Sequence, residues 1–375
     1  MNITTHINSL GASREAQVLR ELVSQMRDFT EEEPSDDLIG RIMNAVEQDK
    51  KTPQQPLYSS GSRFMKPWFG AAAVAALLIL LFVLRFVSVP ADENRSDFIR
   101  ERWLADFQEK DGSWNPARHG GNAAYRPALT ALSAMALQRS GDDFTAEVAA
   151  ARNYLIRIQQ ADGSFGGSGR ERFYNHSIVT YFLADSGRCD SDVLTKAVKV
   201  IRKRQTATGG WDYAEGSEGS TAITSWHVQA LAAAEMAGVE GASESMRRGL
   251  RWLRDMTDRK GCIAYRKNSE NKSDTLSALA GYTLLTAGAE ILGLSDVGHR
   301  VVKAMTASAA ADDRTVDLYR DCMKVRAFSA AGMEDDAFAI KKSMNIQNSE
   351  APDDKWEKVG GRIYVASMHS LTGSY

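Results

Sequence analysis

The sequence predicts an all-α fold built from repeated helix pairs, and three observations predict it. A short phrase of Gln, three residues, Gly, one residue and an aromatic occurs three times, as Gln108 with Gly112 and Trp114, Gln159 with Gly163 and Phe165, and Gln205 with Gly209 and Trp211. The aromatics stand 51 and then 46 residues apart, at the upper end of the spacing that marks repeat architectures. A hydrophobic pair precedes each phrase, Trp103-Leu104, Tyr154-Leu155 and Val200-Ile201, and occurs again as Trp252-Leu253, where Lys260-Gly261-Cys262-Ile263 replaces the Gly and the aromatic. The helical frame therefore persists where the motif decays. Finally, Gly141, Gly187, Gly238 and Gly293 fall where the second helix of each unit should end, the residue type suited to a left-handed cap.

In chain order, residues 1–66 read as a short helical tail and linker. Met1 to Leu10 has neither a basic start nor an apolar core, so no cleavable signal is predicted. Helices are expected over residues 13–28 and 36–49, the second capped by Ser35 and separated from the first by the acidic break Glu31 to Pro34. Pro53, Pro56 and Gly61 mark the following stretch as a flexible linker. A transmembrane helix is expected over residues 67–89, because Trp68 to Leu84 is unbroken apolar or small sequence and 22 residues from Trp68 to Val89 rise about 33 Å. Lys50, Lys51, Arg63 and Lys66 lie before it, which by the positive-inside rule puts the N-terminus in the cytoplasm. Arg85 sits near the far end, where it can snorkel. The expectation is a single-pass anchor in a bacterial inner membrane, a linker over residues 90–96, and residues 97–375 in the periplasm or otherwise outside the cytoplasm.

Within residues 97–375 the first helices of the units, such as residues 97–109 and 193–204, carry Lys and Arg beside an apolar stripe and suit an outer ring. The second helices, such as residues 128–137, 230–236 and 277–291, are rich in Ala, Gly, Leu and Thr and should be buried on most sides. Residues 301–309 and 337–345 continue as outer helices, and residues 316–330 and 362–371 as inner ones, so about six pairs are expected.

The repeated phrase resembles the Gln-Trp repeat of squalene-hopene cyclases and protein prenyltransferases. Tyr174-Asn-His176 and the ending Gly360-Gly-Arg-Ile-Tyr364 resemble a bacterial group of prenyltransferase and squalene oxidase repeat proteins. The resemblance implies an α/α toroid of inner and outer helices over residues 97–375, in which the Gln and the aromatic fasten the end of an outer helix to the next inner one. The segment from Pro34 to Val46 resembles the stretch before the membrane in bacterial anti-sigma factors; the zinc-binding form of that family needs a His and two Cys, and this region holds only His6.

Chemistry is tested residue by residue against that resemblance. Cyclases of this class protonate a polyene with an Asp-x-Asp-Asp acid, and the nearest string here is Asp190-Ser-Asp192-Val193. Prenyltransferases hold zinc with Asp, Cys and His, but Asp274-Thr-Leu276 and Asp317-Leu-Tyr-Arg320 put Leu276 and Arg320 where Cys and His would be. No cofactor and no metal set is therefore expected. Cys189, Cys262 and Cys322 match no paired spacing and leave at least one thiol unpaired in a monomer. With 46 Lys and Arg against 48 Asp and Glu, nothing electrostatic favours nucleic acid as partner. The polar and aromatic residues at inner-helix starts, His176, Thr224, Trp226, His227, Asp274, Asp317 and Tyr319, are the candidate rim of a central cavity. The function expected from this set is noncatalytic binding of a lipid, peptide or protein partner. Two alternatives stand beside it: an enzyme acting on an isoprenoid with an atypical acid such as Asp274, and a transmembrane regulator with an anti-sigma-like tail.

Overall fold

A computed structural model describes residues 100–213, 218–267, 269–287, 292–308, 317–350, 354 and 356–373. The expected tail helices and the expected membrane span over residues 67–89 lie outside them. Among the described residues no helix is long and apolar enough to cross a membrane.

The described chain alternates outer and inner helices. A helical stretch over residues 100–106 leads to α1 (Arg126–Arg139), α2 (Thr145–Arg157), α3 (Arg172–Asp185), α4 (Ser191–Lys203), α5 (Thr221–Met236) and α6 (Ala242–Asp255). It continues with α7 (Asp274–Thr286), α8 (Ser295–Ser308), α9 (Leu318–Ala330), α10 (Glu334–Glu350) and α11 (Glu357–Gly373). No strand occurs among the described residues, only one isolated bridge between Thr257 and Ile263.

The odd-numbered helices form the inner ring. Each packs on the next, α1 on α3, α3 on α5, α5 on α7, α7 on α9 and α9 on α11, and α11 returns to α1. The ring is closed. Burial follows the compositions: every residue of α1 from Ala128 to Leu137 is buried, whereas α4 buries only Leu194, Ala197, Val198, Val200 and Ile201. A helix apolar all round belongs between layers, and a helix with one apolar stripe belongs at the water.

Local signals set the ends. Asp190 caps α4 by accepting from the Asp192 amide, Ser273 caps α7 through Leu276, and Asp317 caps α9 through Arg320. Gly141, Gly187, Gly238 and Gly293 all take positive φ after inner helices, as expected of left-handed caps. Closure is made by glycine. At Gly361, φ is 66° and interrupts α11, and a Cβ there would lie 2.3 Å from the His119 carbonyl oxygen. The Asn122 amide bonds the Val359 carbonyl at 2.8 Å across the same seam, and Ser133 and Ser367 hydroxyls meet at 2.9 Å between α1 and α11.

Candidate functional site

The repeated phrase is a set of fasteners, and its atoms explain its spelling. Gln108 Nε2 donates to the carbonyls of Gly112 and Glu147, Gln159 Nε2 to Gly163 and Val193, and Gln205 Nε2 to Gly209 and Ser245, all between 2.8 and 3.1 Å. Each Gln thus ties its own turn to the first turn of the following outer helix. The indoles of Trp114 and Trp211 donate back to Leu104 and Ile201 at 2.7 and 2.8 Å. Contact with the inner ring comes from the aromatic's backbone amide, which donates to Thr130 Oγ1, His176 Nδ1 or Thr224 Oγ1 in the three units. The expected link from outer to next inner helix is therefore made by the aromatic; the Gln links outer to outer.

This geometry relocates three of the candidate rim residues. His176 accepts from the Phe165 amide and, through Nε2–H, donates to the Ala197 carbonyl at 3.1 Å, so both ring nitrogens are engaged away from the ring axis. Burial pushes its pKa down to about 4. Thr224 is spent on Trp211. His227 donates through Nδ1 to Ile223 and stacks on Trp211 with centroids 5.4 Å apart, and burial pushes its pKa down to about 3. Asp274 pairs with Lys324 Nζ, joining α7 to α9, and Asp317 is a helix cap.

Trp226 and Tyr319 are brought together as expected, with Trp226 Nε1 donating to Tyr319 Oη at 2.7 Å. They belong to a central cavity of about 140 Å³ at the N-terminal ends of the inner helices. Tyr125, Tyr174, Trp356 and Tyr364 supply further aromatic walls, Ala128, Leu129, Leu132 and Ile178 an aliphatic one, and Val359 and Gly360 the edge beside the closing seam. Tyr213 donates to Tyr174 at 2.8 Å. Burial raises the phenols of Tyr174, Tyr319 and Tyr364 above the usual range, so all stay protonated at neutral pH. The Tyr364 hydroxyl is buried and has no hydrogen-bond partner among the described residues. Sequence reasoning missed Tyr125 and the roles of Tyr174, Trp356 and Tyr364. A usable signal existed: Tyr125, Tyr174, Tyr319 and Tyr364 each stand at or near the start of an inner helix. Trp356, just before α11, is a cavity wall and 39% exposed.

Two carboxylates precede these rings in the chain, Asp317 two residues before Tyr319 and Asp354 two before Trp356. Asp354 accepts from the amides of Leu318 and Trp356, both at 2.8 Å. Burial nevertheless holds its carboxyl above the ordinary range, with Asp317 and Glu357 adding to the effect. Asp111, Asp162 and Asp258 are shifted the other way. Among the described residues no group of three or more His, Cys, Asp and Glu is arranged to hold a metal ion. The three cysteines are free thiols, and burial pushes Cys189 and Cys322 up to about 11.

Residues 127–271 match the squalene-hopene cyclase C-terminal domain family, and residues 29–181 match the prenyltransferase alpha-alpha toroid domain family. No curated protein matches the chain. Among solved structures, an inactive variant of an α-1,6-mannanase of Salegentibacter sp. HEL1_6, in complex with α-1,6-mannotriose, is similar with a TM-score of 0.58 at 9% identity, covering 76% of this chain and 98% of that one. A sugar epimerase from a ruminal bacterium is similar with a TM-score of 0.53 at 11% identity, covering 75% and 98%. At these identities the likeness is one of fold. These neighbours are a mannanase and a sugar epimerase, and they give no support to the expected noncatalytic lipid, peptide or protein receptor, to an isoprenoid enzyme built on Asp274, or to a regulator. The geometry gives the physical reason. Asp274, the acid on which the isoprenoid reading relied, is paired with Lys324.

Proposed function

We propose that this chain, an α/α toroid of the squalene-cyclase and prenyltransferase repeat class, acts on a carbohydrate and holds one sugar ring in the cavity at the inner-helix N-termini. The observation that carries the reading is the wall itself. Tyr125, Tyr174, Trp226, Tyr319, Trp356 and Tyr364 surround a small space with flat apolar faces and phenol or indole edges. A pyranose has the matching character, with C–H faces that stack on rings and equatorial oxygens that meet the polar edges. The fold likeness to a mannanase and a sugar epimerase supports the same class of substrate.

Asp354 is the acid of this reading. Turnover of a glycoside needs a carboxyl acid, and Asp354, two residues before the cavity wall Trp356, is the buried carboxyl whose pKa burial raises above the ordinary range. The experiment is incubation of the full-length chain, in detergent, with a panel of neutral, acidic and N-acetylated oligosaccharides, following binding by calorimetry and products by mass spectrometry. Saturable binding and turnover of at least one member are expected. Asp354→Asn should abolish turnover and keep binding, and Trp356→Ala should weaken binding at least tenfold. A panel in which nothing binds overturns the reading.

The location is a second part of the proposal. The uninterrupted apolar sequence from Trp68 to Leu84, with basic residues on its N-terminal side, supports a single-pass anchor in a bacterial inner membrane with the toroid outside the cytoplasm. Reporter fusions before residue 67 and after residue 375 read the two sides directly.

A further inference from the structure

We infer that the sugar bound at the cavity carries a carboxylate, and that Arg170 is the residue that recognises it. The inference rests on the carbohydrate reading and goes beyond it to the class of sugar, a uronic acid. Arginines at or before the starts of α1, α7 and α9 are neutralised where they stand: Arg126 pairs with Asp111, Arg266 with Asp212 and Arg320 with Asp321, at 2.8 to 2.9 Å. At α3 the pattern breaks. Arg170, two residues before that helix, and Arg172, its first residue, make no ion pair among the described residues. Glu171 between them turns back, its Oε1 accepting from the Gly169 amide at 3.0 Å. Helix N-termini favour acids, yet α3 has none in its first turn and opens on these two cations. A local rule broken with no compensation inside the chain points to a partner outside it.

Aromatic rings hold the two charges beside the cavity. Arg170 Cζ lies 5.5 Å from the centroid of Tyr213 and Arg172 Cζ 4.8 Å from that of Phe173, and these two rings meet edge to face at 5.8 Å. Tyr213 donates to Tyr174, a cavity wall, so the arginines stand one ring away from the cavity. Arg172 spends Nη1 on the Ser168 carbonyl at 3.2 Å, whereas the exposed Arg170 donates to nothing among the described residues. A guanidinium held over a ring keeps its edge of N–H groups for a planar acceptor, and a carboxylate is such an acceptor. No side chain lining the cavity is charged, so the acid group stays at the wet mouth and the C–H face of the sugar enters. Arg170 and Arg172 against Glu171 leave a single positive charge in surplus, which matches a carboxylate and falls short of a phosphate dianion.

The test uses the full-length chain in detergent micelles with glucuronate, galacturonate, glucose and galactose as probes and glucose 6-phosphate and acetate as controls, read by calorimetric titration at low and high salt. At least one uronate should bind about tenfold or more tightly than its parent hexose at low salt. High salt should erase most of that difference, because the charges meet in water. Arg170→Gln should lose the preference and Arg170→Lys should keep part of it, both with a thermal midpoint equal to or above the parent's, since the side chain replaced is exposed and makes no ion pair. Equal binding of uronates and parent hexoses overturns the inference and leaves the carbohydrate reading standing. So does glucose 6-phosphate bound more tightly than glucuronate, or acetate bound as tightly as either uronate. A preference that survives in Arg170→Gln overturns the role of Arg170. Failure of all the sugars, together with failure of the wider oligosaccharide panel, overturns both.

Discussion

Three histidines show how much a residue's meaning depends on what surrounds it. His176, His227 and His369 are all buried, and burial holds their pKa values down to about 4, 3 and 3. They fold as neutral rings. In the unfolded chain each returns to about 6.5, so between pH 6.5 and about 4 the unfolded state binds protons that the folded state does not. The sign follows: stability is fully present above pH 6.5 and is lost as pH falls toward 4. One unit below the unfolded pKa the loss is about 1.4 kcal/mol for each buried histidine. Denaturant titrations at pH 7.5 and 5.5 should therefore differ by about 3 to 4 kcal/mol, and His227→Gln should flatten the slope by about one proton. A stability that is level across this range would contradict the neutral, buried assignment. It would also reopen His176 and His227 as cavity residues, since only an exposed ring titrates without a penalty.

The elements are held by glycines that do two different jobs. Gly112, Gly163, Gly209 and Gly261 lie in the turns of the repeated phrase with φ between 88° and 100°, and a Cβ at any of them would come within 2.3 to 2.8 Å of a carbonyl of the next outer helix. Gly141, Gly187, Gly238 and Gly293 share the positive φ but have open space around the missing Cβ. An alanine at Gly238 meets only the left-handed penalty of roughly 1 to 2 kcal/mol. At Gly209 it meets that penalty and a backbone collision with Arg248 besides, and the combined cost is expected to be about 3 kcal/mol or more. Chemical denaturation of Gly209→Ala and Gly238→Ala reads the difference. Equal losses would mean that the phrase keeps its glycine for the turn alone and not for the approach of the next helix. The decayed fourth copy argues for the approach: Cys262 and Ile263 have replaced the usual residues, yet Gly261 remains, with the Arg300 carbonyl 2.4 Å from where its Cβ would be.

At the scale of the whole molecule, the fasteners were legible in the sequence because each is local. Gln108, Gly112 and Trp114 lie within seven residues and recur at a period, so their spacing announces a helix-turn unit. The cavity was not legible, since its wall draws one to three residues from each of five inner helices, and neither Trp356 nor Tyr364 shares a motif with Trp226. His176 and His227 misled for a related reason. They stand at the right height on inner helices and face the outer ring, a difference of rotation about the helix that wall composition hides. Ring closure is the other property of the whole. An open solenoid sums the stabilities of neighbouring repeats, whereas a closed ring lets every interface feel the seam. Gly361→Ala tests which applies, because its Cβ would collide with the His119 carbonyl exactly where α11 meets the first unit. In a ring, forcing that seam apart should cost roughly 2 kcal/mol everywhere, and amide hydrogens should exchange about thirtyfold faster in α5 and α7, on the opposite side, as well as in α1 and α11. Acceleration confined to α1 and α11 would mean that the far repeats stand without closure. The cavity separates the cases a second time: Val359 and Gly360 lie both in its wall and beside the seam, so a ring forced open should lose its ligand together with its shared stability.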